Sequence, residues 1–272
     1  MQKRKTSTSL GVVITGGTTG LGYALASVFL TSGDRVVICG RNPQRLEEAL
    51  QTLRLNTPKG EVYGIVCDVT DPSAVTLFAG FAKDCLGLVD RWINNAGTAG
   101  QLKRPLWELH LDDILETCTT NLAGSLMLCA EAVRLMDSQP PSSEAIYHIF
   151  NMGFSAIGAT FSRSALPHKT SKRGVAELTH FLSGELNAKG ISSIGVHELS
   201  PGLVLTSLLL KDASPAAMKF FDLVAEKPDK VASIVVPKIR SIQGCNHKIR
   251  YQPMVVTLLR AINGIPWIIN RK

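Results

Sequence analysis

Six short, β-branched apolar runs alternate with stretches of helical apolar spacing, and nothing else in the chain restricts its fold as tightly. The runs are Leu10–Thr15, Arg35–Cys39, Val62–Cys67, Arg91–Ile93, Ala145–Phe150 and Ser193–His197. Unbroken apolar runs of this length suit strands buried on both faces. Between them, Leu21–Leu30 starts after a glycine cluster and stops at Ser32-Gly33, and Pro43–Leu55 carries proline near its first turn. Further helices are expected from Asp71 to about Leu86, over Asp112–Met136 as one long helix, and over Pro167–Ala188. Such alternation, without a linker or internal repeat, predicts right-handed crossovers and an α/β doubly wound parallel sheet. One domain is expected over 1–272, with a basic tail at 1–9. From about 203 to 272 the alternation stops. A helical extension on the substrate side is expected there, with one short strand near His247–Tyr251.

Composition narrows the function classes. A hydrophobic fraction of 45% supports a sizeable core. The six cysteines form no CxxC pair and the six histidines no HExxH, so neither a disulfide framework nor a metal site is expected. The net charge of +7 is concentrated at Met1–Lys5, Arg240–Arg250 and Arg271–Lys272, with no aromatic/basic RNA-binding motif beside it. That excludes a nucleic-acid partner. It leaves attraction to cofactor phosphates or peripheral contact with an anionic membrane. The start, MQKRKTSTSL, lacks the apolar core of a secretory signal. No apolar run reaches the roughly 18–20 residues of a transmembrane span. Val255–Ile269, interrupted by Arg260, Asn263 and Pro266, reads as a helix packed on the body or a second subunit, or as a membrane-surface or substrate contact.

After the first apolar run comes Thr15-Gly16-Gly17-Thr18-Thr19-Gly20-Leu21-Gly22, and the first helix opens on it. Glycines at 16, 20 and 22 permit a tight turn, close approach of a pyrophosphate to the backbone, and close helix–strand packing. Gly16, Thr18, Thr19, Gly20, Leu21 and Gly22 are therefore candidate dinucleotide contacts in a Rossmann-type sheet. The second run ends in Cys39-Gly40-Arg41-Asn42. An NAD site usually places a carboxylate here for the ribose 2′-hydroxyl, whereas Arg41 can pair with a 2′-phosphate. NADP(H) is the preferred cofactor and NAD(H) the alternative, with Arg41 then a solvated turn residue.

Jointly, these motifs resemble the short-chain dehydrogenase/reductase family over roughly residues 10–210. Cys67-Asp68-Val69 resembles the family's third-strand motif, whose Asp contacts adenine. Asn94-Asn95-Ala96-Gly97 resembles its NNAG signature, and Ser200-Pro201-Gly202, followed by Val204 and Thr206, its turn beside the nicotinamide. The resemblance implies cofactor contacts at Asp68, Val69, Asn95, Ala96, Gly97, Lys172, Pro201, Gly202, Val204 and Thr206. A closer similarity is to the chlorophyll b reductases. It rests on Trp92–Thr98, Thr119–Ser125, Ile149–Met152, Leu199–Leu210 and Val235–Arg240, and implies NADPH-dependent reduction of a chlorophyll formyl group to hydroxymethyl.

The same resemblance implies a catalytic set of Asn, Ser, Tyr and Lys. Asn121, Ser155 and Lys172 occupy three of those positions, Ser155 standing thirteen residues before position 168. Position 168 itself is histidine, four residues before Lys172 and so one turn back on the same helix face. None of Tyr23, Tyr63, Tyr147 and Tyr251 stands where it would replace the missing phenol. A nearby Lys172 charge is expected to keep His168 neutral, and the expected role is donor to the carbonyl, with Ser155 as second donor. Ser155 also departs from the chlorophyll b reductases, which tend not to keep that serine.

Three functions follow. The leading one is an NADPH-dependent carbonyl reductase for a large hydrophobic substrate, a chlorophyll-type pigment being the named candidate. Leu203–Leu210 and Phe220–Val224 offer apolar surface for a flat macrocycle, or equally core and dimer packing. The others are a catalytically weakened NADP(H)-binding scaffold or sensor, and a reductase of another hydrophobic carbonyl. A homo-oligomer is expected, in a cytoplasm or at a chloroplast stroma and thylakoid surface.

Overall fold

In a computed structural model the protein is described over residues 9–154, 164–210, 218, 221 and 225–251. Seven strands form one parallel sheet in the order β3-β2-β1-β4-β5-β6-β7. They are β1 (Gly11–Thr15), β2 (Arg35–Gly40), β3 (Val62–Val66), β4 (Arg91–Asn94), β5 (Tyr147–Met152), β6 (Ile194–Ser200) and β7 (Lys248–Arg250). Strand order reverses between β1 and β4, which opens a crevice at their carboxyl ends. All the expected strands are present, including the short one near residue 248, which pairs with β6 through Glu198 and Lys248.

Helices cover both faces. On one lie α1 (Gly20–Thr31) and α2 (Pro43–Asn56). On the other lie α3 (Pro72–Leu86), α4 (Leu111–Cys118), α5 (Gly124–Asp137) and α6 (Leu166–Ala188). Successive residues of β1 feed opposite layers: Val12 and Ile14 join the core under α1, Val13 the core under α3 and α5. Pleating requires this of a strand covered twice. The helix starts follow the sequence chemistry. Asn42 accepts from the Arg45 N–H at 2.8 Å, Asp71 accepts from Ser73 at 2.9 Å, and each precedes a proline in the first turn.

Two expectations are corrected. The stretch Asp112–Met136 is not one regular helix, because a π-helical turn, Thr119–Ala123, separates α4 from α5. Thr119, Thr120 and Asn121 are poor helix formers. Asn121 turns its side chain into a buried hydrogen-bond network, and its carbonyl accepts from Ser125 Oγ at 2.6 Å. Wide turns of this kind commonly mark working sites.

Nor does the region after 203 lie wholly on the substrate side. A short helix, α7 (Ser207–Leu210), stays near the crevice, but α8 (Pro228–Ser241) packs against α1. Its Val231, Ala232, Val235, Val236 and Ile239 are buried in the same core as Val12 and Ile14. Their spacing is the apolar stripe of a core-facing helix. Val255–Ile269 and most of Phe220–Val224 lie outside the described residues. Among the described residues, no helix is long and apolar enough to cross a membrane, and no His/Cys/Asp/Glu cluster has the makings of a metal site. All six cysteines are free thiols.

Candidate active site

The glycine turn and the loop after β4 are built as one piece. Thr15 Oγ accepts from the backbone N–H groups of Asn95 and Ala96, both at 3.0 Å. Asn95 Nδ2 donates to the carbonyls of Thr15 at 2.9 Å and Gly16 at 3.0 Å. This leaves no room for a Cβ at Gly16 or Gly22. A Cβ on Gly22 would stand 2.2 Å from the Gly16 carbonyl oxygen, and one on Gly16, whose φ is +63°, 2.9 Å from the Ala96 Cα. On the far side, Thr206 caps α7, with Leu210 N–H donating to its carbonyl at 3.1 Å, and faces Gly20. Gly202, at φ +78°, turns the chain out of β6 toward that contact.

Gly40 packs on Thr18: a Cβ at position 40 would stand 2.6 Å from the Thr18 methyl, so a carboxylate there requires the Thr18 side chain to turn away. Arg41 follows, half exposed, with Nη1 3.4 Å from Glu116 of α4. An exposed pair at that distance is weak, so the guanidinium is open to a stronger anion. Asp68 Oδ1 accepts from Thr70 N at 2.9 Å and Thr70 Oγ at 2.8 Å, an arrangement that fixes its carboxylate at the end of β3. Val69 is buried and backs Gly124 at the start of α5.

A cavity of about 560 Å³ opens between these parts, lined by Thr19, Gly97, Thr98, Ser207, Leu208 and Leu210. Directly behind Gly97 and Thr98 stand three of the expected catalytic residues. Asn121 Oδ1 accepts from the Thr98 N–H at 2.8 Å while its Nδ2 donates to the Thr98 carbonyl at 2.9 Å. His168 Nδ1 lies 2.7 Å from that same carbonyl oxygen. Lys172 packs on Gly97, where a Cβ would come 3.1 Å from its Nζ and 2.9 Å from Asn121 Oδ1. The Phe154 ring meets the His168 ring edge-on at 5.2 Å, and Phe154 N–H donates to the Lys172 carbonyl at 3.2 Å. Ser155 lies outside the described residues.

Burial sets the charge state of the pair. His168 is pushed down to about 4, first by burial and then by the Lys172 charge, with the Thr98 carbonyl opposing. Neutrality was expected from Lys172, but desolvation is the larger cause. Burial brings Lys172 down to about 8. The tyrosines lie elsewhere: Tyr147 Oη donates to the Pro140 carbonyl, Tyr63 pairs with Glu61, and Tyr251 is buried in the core beside α8. Thr98 and Ser171 are the residues that spacing did not single out. Thr98 works through its backbone, which no side-chain pattern reveals. Ser171, three residues after His168, is discernible only as a neighbour on its helix face.

A dinucleotide crevice floored by glycine, with an Asn–His–Lys cluster at its inner end, defines an oxidoreductase acting on CH–OH or carbonyl groups with a nicotinamide cofactor. The family model of the short chain dehydrogenases matches residues 11–216, and the chain belongs to that family. It is 39% identical over 256 residues to chlorophyll(ide) b reductase NOL, chloroplastic, of Oryza sativa subsp. japonica, an alignment covering 93% of this chain and 71% of that protein. To the probable chlorophyll(ide) b reductase NYC1 of the same plant it is 38% identical, over 88% of this chain and 49% of that one. The crystal structure of gox2181 superposes with a TM-score of 0.75 at 21% identity, covering 92% of this chain and 98% of the other, and so shares the fold.

Proposed function

We propose that this protein is an NADPH-dependent carbonyl reductase whose substrate is the formyl group of a chlorophyll b-type pigment, reduced to hydroxymethyl. The observation that carries the reading is the convergence at Gly97 and Thr98. Both line the cavity, and Asn121, His168 and Lys172 are attached directly behind them. The plant relatives' names supply the pigment, and Leu208 and Leu210 give the cavity an apolar wall suited to a flat macrocycle.

When bound, the dinucleotide supplies a hydride; the chain's own residues do the remainder. Gly16, Gly20 and Gly22 admit the pyrophosphate against the backbone at the amino end of α1, with Thr18, Thr19 and Leu21 around it. Arg41 pairs with the 2′-phosphate in exchange for Glu116, which supports NADP(H) over NAD(H). Asp68, Val69, Asn95, Ala96, Pro201, Gly202, Val204 and Thr206 frame the rest of the crevice. Asn121 holds Thr98 in place, and Lys172 stands behind Gly97 at the polar end of the cavity. The chloroplast stroma and its membrane surface suit such a substrate. Exposed Leu111 and Leu115 on α4 and Phe181 on α6 favour a homo-oligomer through these helices.

Incubation of the protein with NADPH and a formyl-bearing chlorophyllide tests the reading: NADPH absorbance should fall as the hydroxymethyl product appears. His168→Tyr, which restores a phenol beside Lys172, should raise turnover by about 10- to 100-fold. NADPH binding without oxidation of any aldehyde or ketone, in both forms, would instead support a cofactor-binding scaffold.

A further inference from the structure

Hydrogen-bond directions within the cluster determine which ring nitrogen of His168 carries its proton. Asn121 Oδ1 accepts from the Thr98 N–H, which fixes the orientation of the amide. Its Nδ2 then uses both hydrogens, one on the Thr98 carbonyl and one on Ser171 Oγ at 3.0 Å. Ser171 Oγ passes its own hydrogen to the His168 carbonyl at 3.1 Å. No hydrogen of Asn121 remains for His168 Nδ1, although the two nitrogens stand 3.5 Å apart. The partner of Nδ1 is the Thr98 carbonyl oxygen at 2.7 Å, and a carbonyl only accepts. Nδ1 therefore bears the proton, and in the neutral ring Nε2 is bare.

A bare Nε2 cannot donate to a carbonyl oxygen, which has only lone pairs to offer. Donation would require the imidazolium, which burial and Lys172 confine to pH values near and below about 4. Lys172 is placed differently. Its ammonium carries three hydrogens and lies against Gly97 in the cavity wall. Burial, at about 8, leaves it charged at neutral pH yet readier than an exposed lysine to release a proton. Among the described residues, His168 stands one turn away on the same helix, and Lys103, whose charge reaches the His168 ring, donates from Nζ to the Leu209 carbonyl at 3.3 Å.

We propose, given a carbonyl reductase at this site, that the Lys172 ammonium is the proton donor to the substrate oxygen and that His168, held by Thr98 in its Nδ1–H form, is a positioning residue that accepts hydrogen bonds. The hydride from NADPH forms the new C–H bond and breaks the C=O π bond. The oxygen takes its proton from Nζ, and solvent reprotonates the resulting neutral amine.

The first test needs neither cofactor nor turnover. In ¹⁵N-histidine spectra, with His168 assigned by its absence from His168→Gln, Nδ1 should appear protonated and Nε2 bare from about pH 8 down to about pH 5. An Nε2–H form, or an imidazolium at neutral pH, would overturn the proposal. The second test is the pH profile of reduction. The turnover number should fall above about pH 8, and the same limb should persist, at a lower rate, in His168→Gln. Lys172→Arg, which keeps the charge but holds its proton, should lose at least tenfold in turnover while still quenching with NADPH. A limb that moves with residue 168 would overturn the assignment. If simple aldehydes are reduced and the pigment is not, the pigment reading alone fails, because the comparison runs on any aldehyde turned over. Turnover of no carbonyl compound at all sinks both.

Discussion

At Gly22 one methyl group decides whether the crevice can exist. The carbonyl oxygen of Gly16 and Asn95 Nδ2 would lie 2.2 and 2.5 Å from its Cβ, and neither is the free end of a flexible side chain. Asn95 Nδ2 is held by two backbone carbonyls, so relief must come from moving the glycine turn itself. Gly22→Ala should therefore weaken NADPH binding by at least about tenfold, measured by fluorescence titration, and lower the melting temperature. Gly184 supplies the contrast. It is exposed within α6, and a methyl group there would meet nothing within 4 Å. Gly184→Ala should raise stability by about 0.5–1 kcal/mol, through helix propensity and a less free unfolded chain, and leave cofactor binding unchanged. Equal losses in the two variants would mean that crowding at residue 22 is not what shapes the site.

Between β5 and β6 a chain of histidines sets the response to acid. His247 N–H donates to His197 Nδ1 at 3.2 Å, so His197 carries its proton on Nε2, 3.0 Å from His148 Nδ1. Burial foremost, then Arg91 and the neighbouring ring, pushes His148 down to about 2; burial, His247 and Arg91 push His197 down to about 3. Both folded values lie below the unfolded one near 6.5. The neutral pair therefore stabilises the fold fully above about pH 6.5, and that stability is lost as pH falls toward the folded values. Each group contributes a slope of about 1.4 kcal/mol per pH unit where only the unfolded chain is protonated. His197→Phe, which keeps a ring against Phe150, should reduce the slope of unfolding free energy between pH 6 and 5 by about that amount. Urea midpoints across this range provide the measurement, and an unaltered slope would refute it.

At this scale, legibility followed chemistry. Strands covered on both faces need unbroken apolar runs, so all six were visible, and their glycine and proline punctuation located the helices. The ends of β4 and β5 were not visible, because Asn94 closes the first and Asn151 interrupts the apolar run of the second. Asn94 Nδ2 donates to Asn151 Oδ1 at 2.8 Å across the two strands, a satisfaction that only the sheet register supplies. The π turn depends likewise on Asn121 finding Thr98, 23 residues back. In α8 the helix was legible but not its place, because only the fold brings Val231, Val235 and Ile239 against α1 rather than toward the crevice.

For the molecule as a whole, the consequence is that a bound dinucleotide and the fold stabilise one another. Loops after β1, β2, β3, β4 and β6 meet at the crevice from five separate stretches of chain, tied by Asn95 to the glycine turn and by Thr206 to Gly20. A ligand seated there binds the folded state alone. At 100 times its dissociation constant it adds about 2.7 kcal/mol, which for a chain of this length raises the melting temperature by roughly 5–10 °C. Cofactor choice should be readable in the same scan without any turnover. If Arg41 leaves Glu116 for a 2′-phosphate, NADPH should raise the midpoint more than NADH at equal concentration. Arg41→Ala should bring the two shifts together by lowering the NADPH value. Equal shifts in the unmodified protein would remove the preference for NADPH and leave the crevice as a site for either dinucleotide.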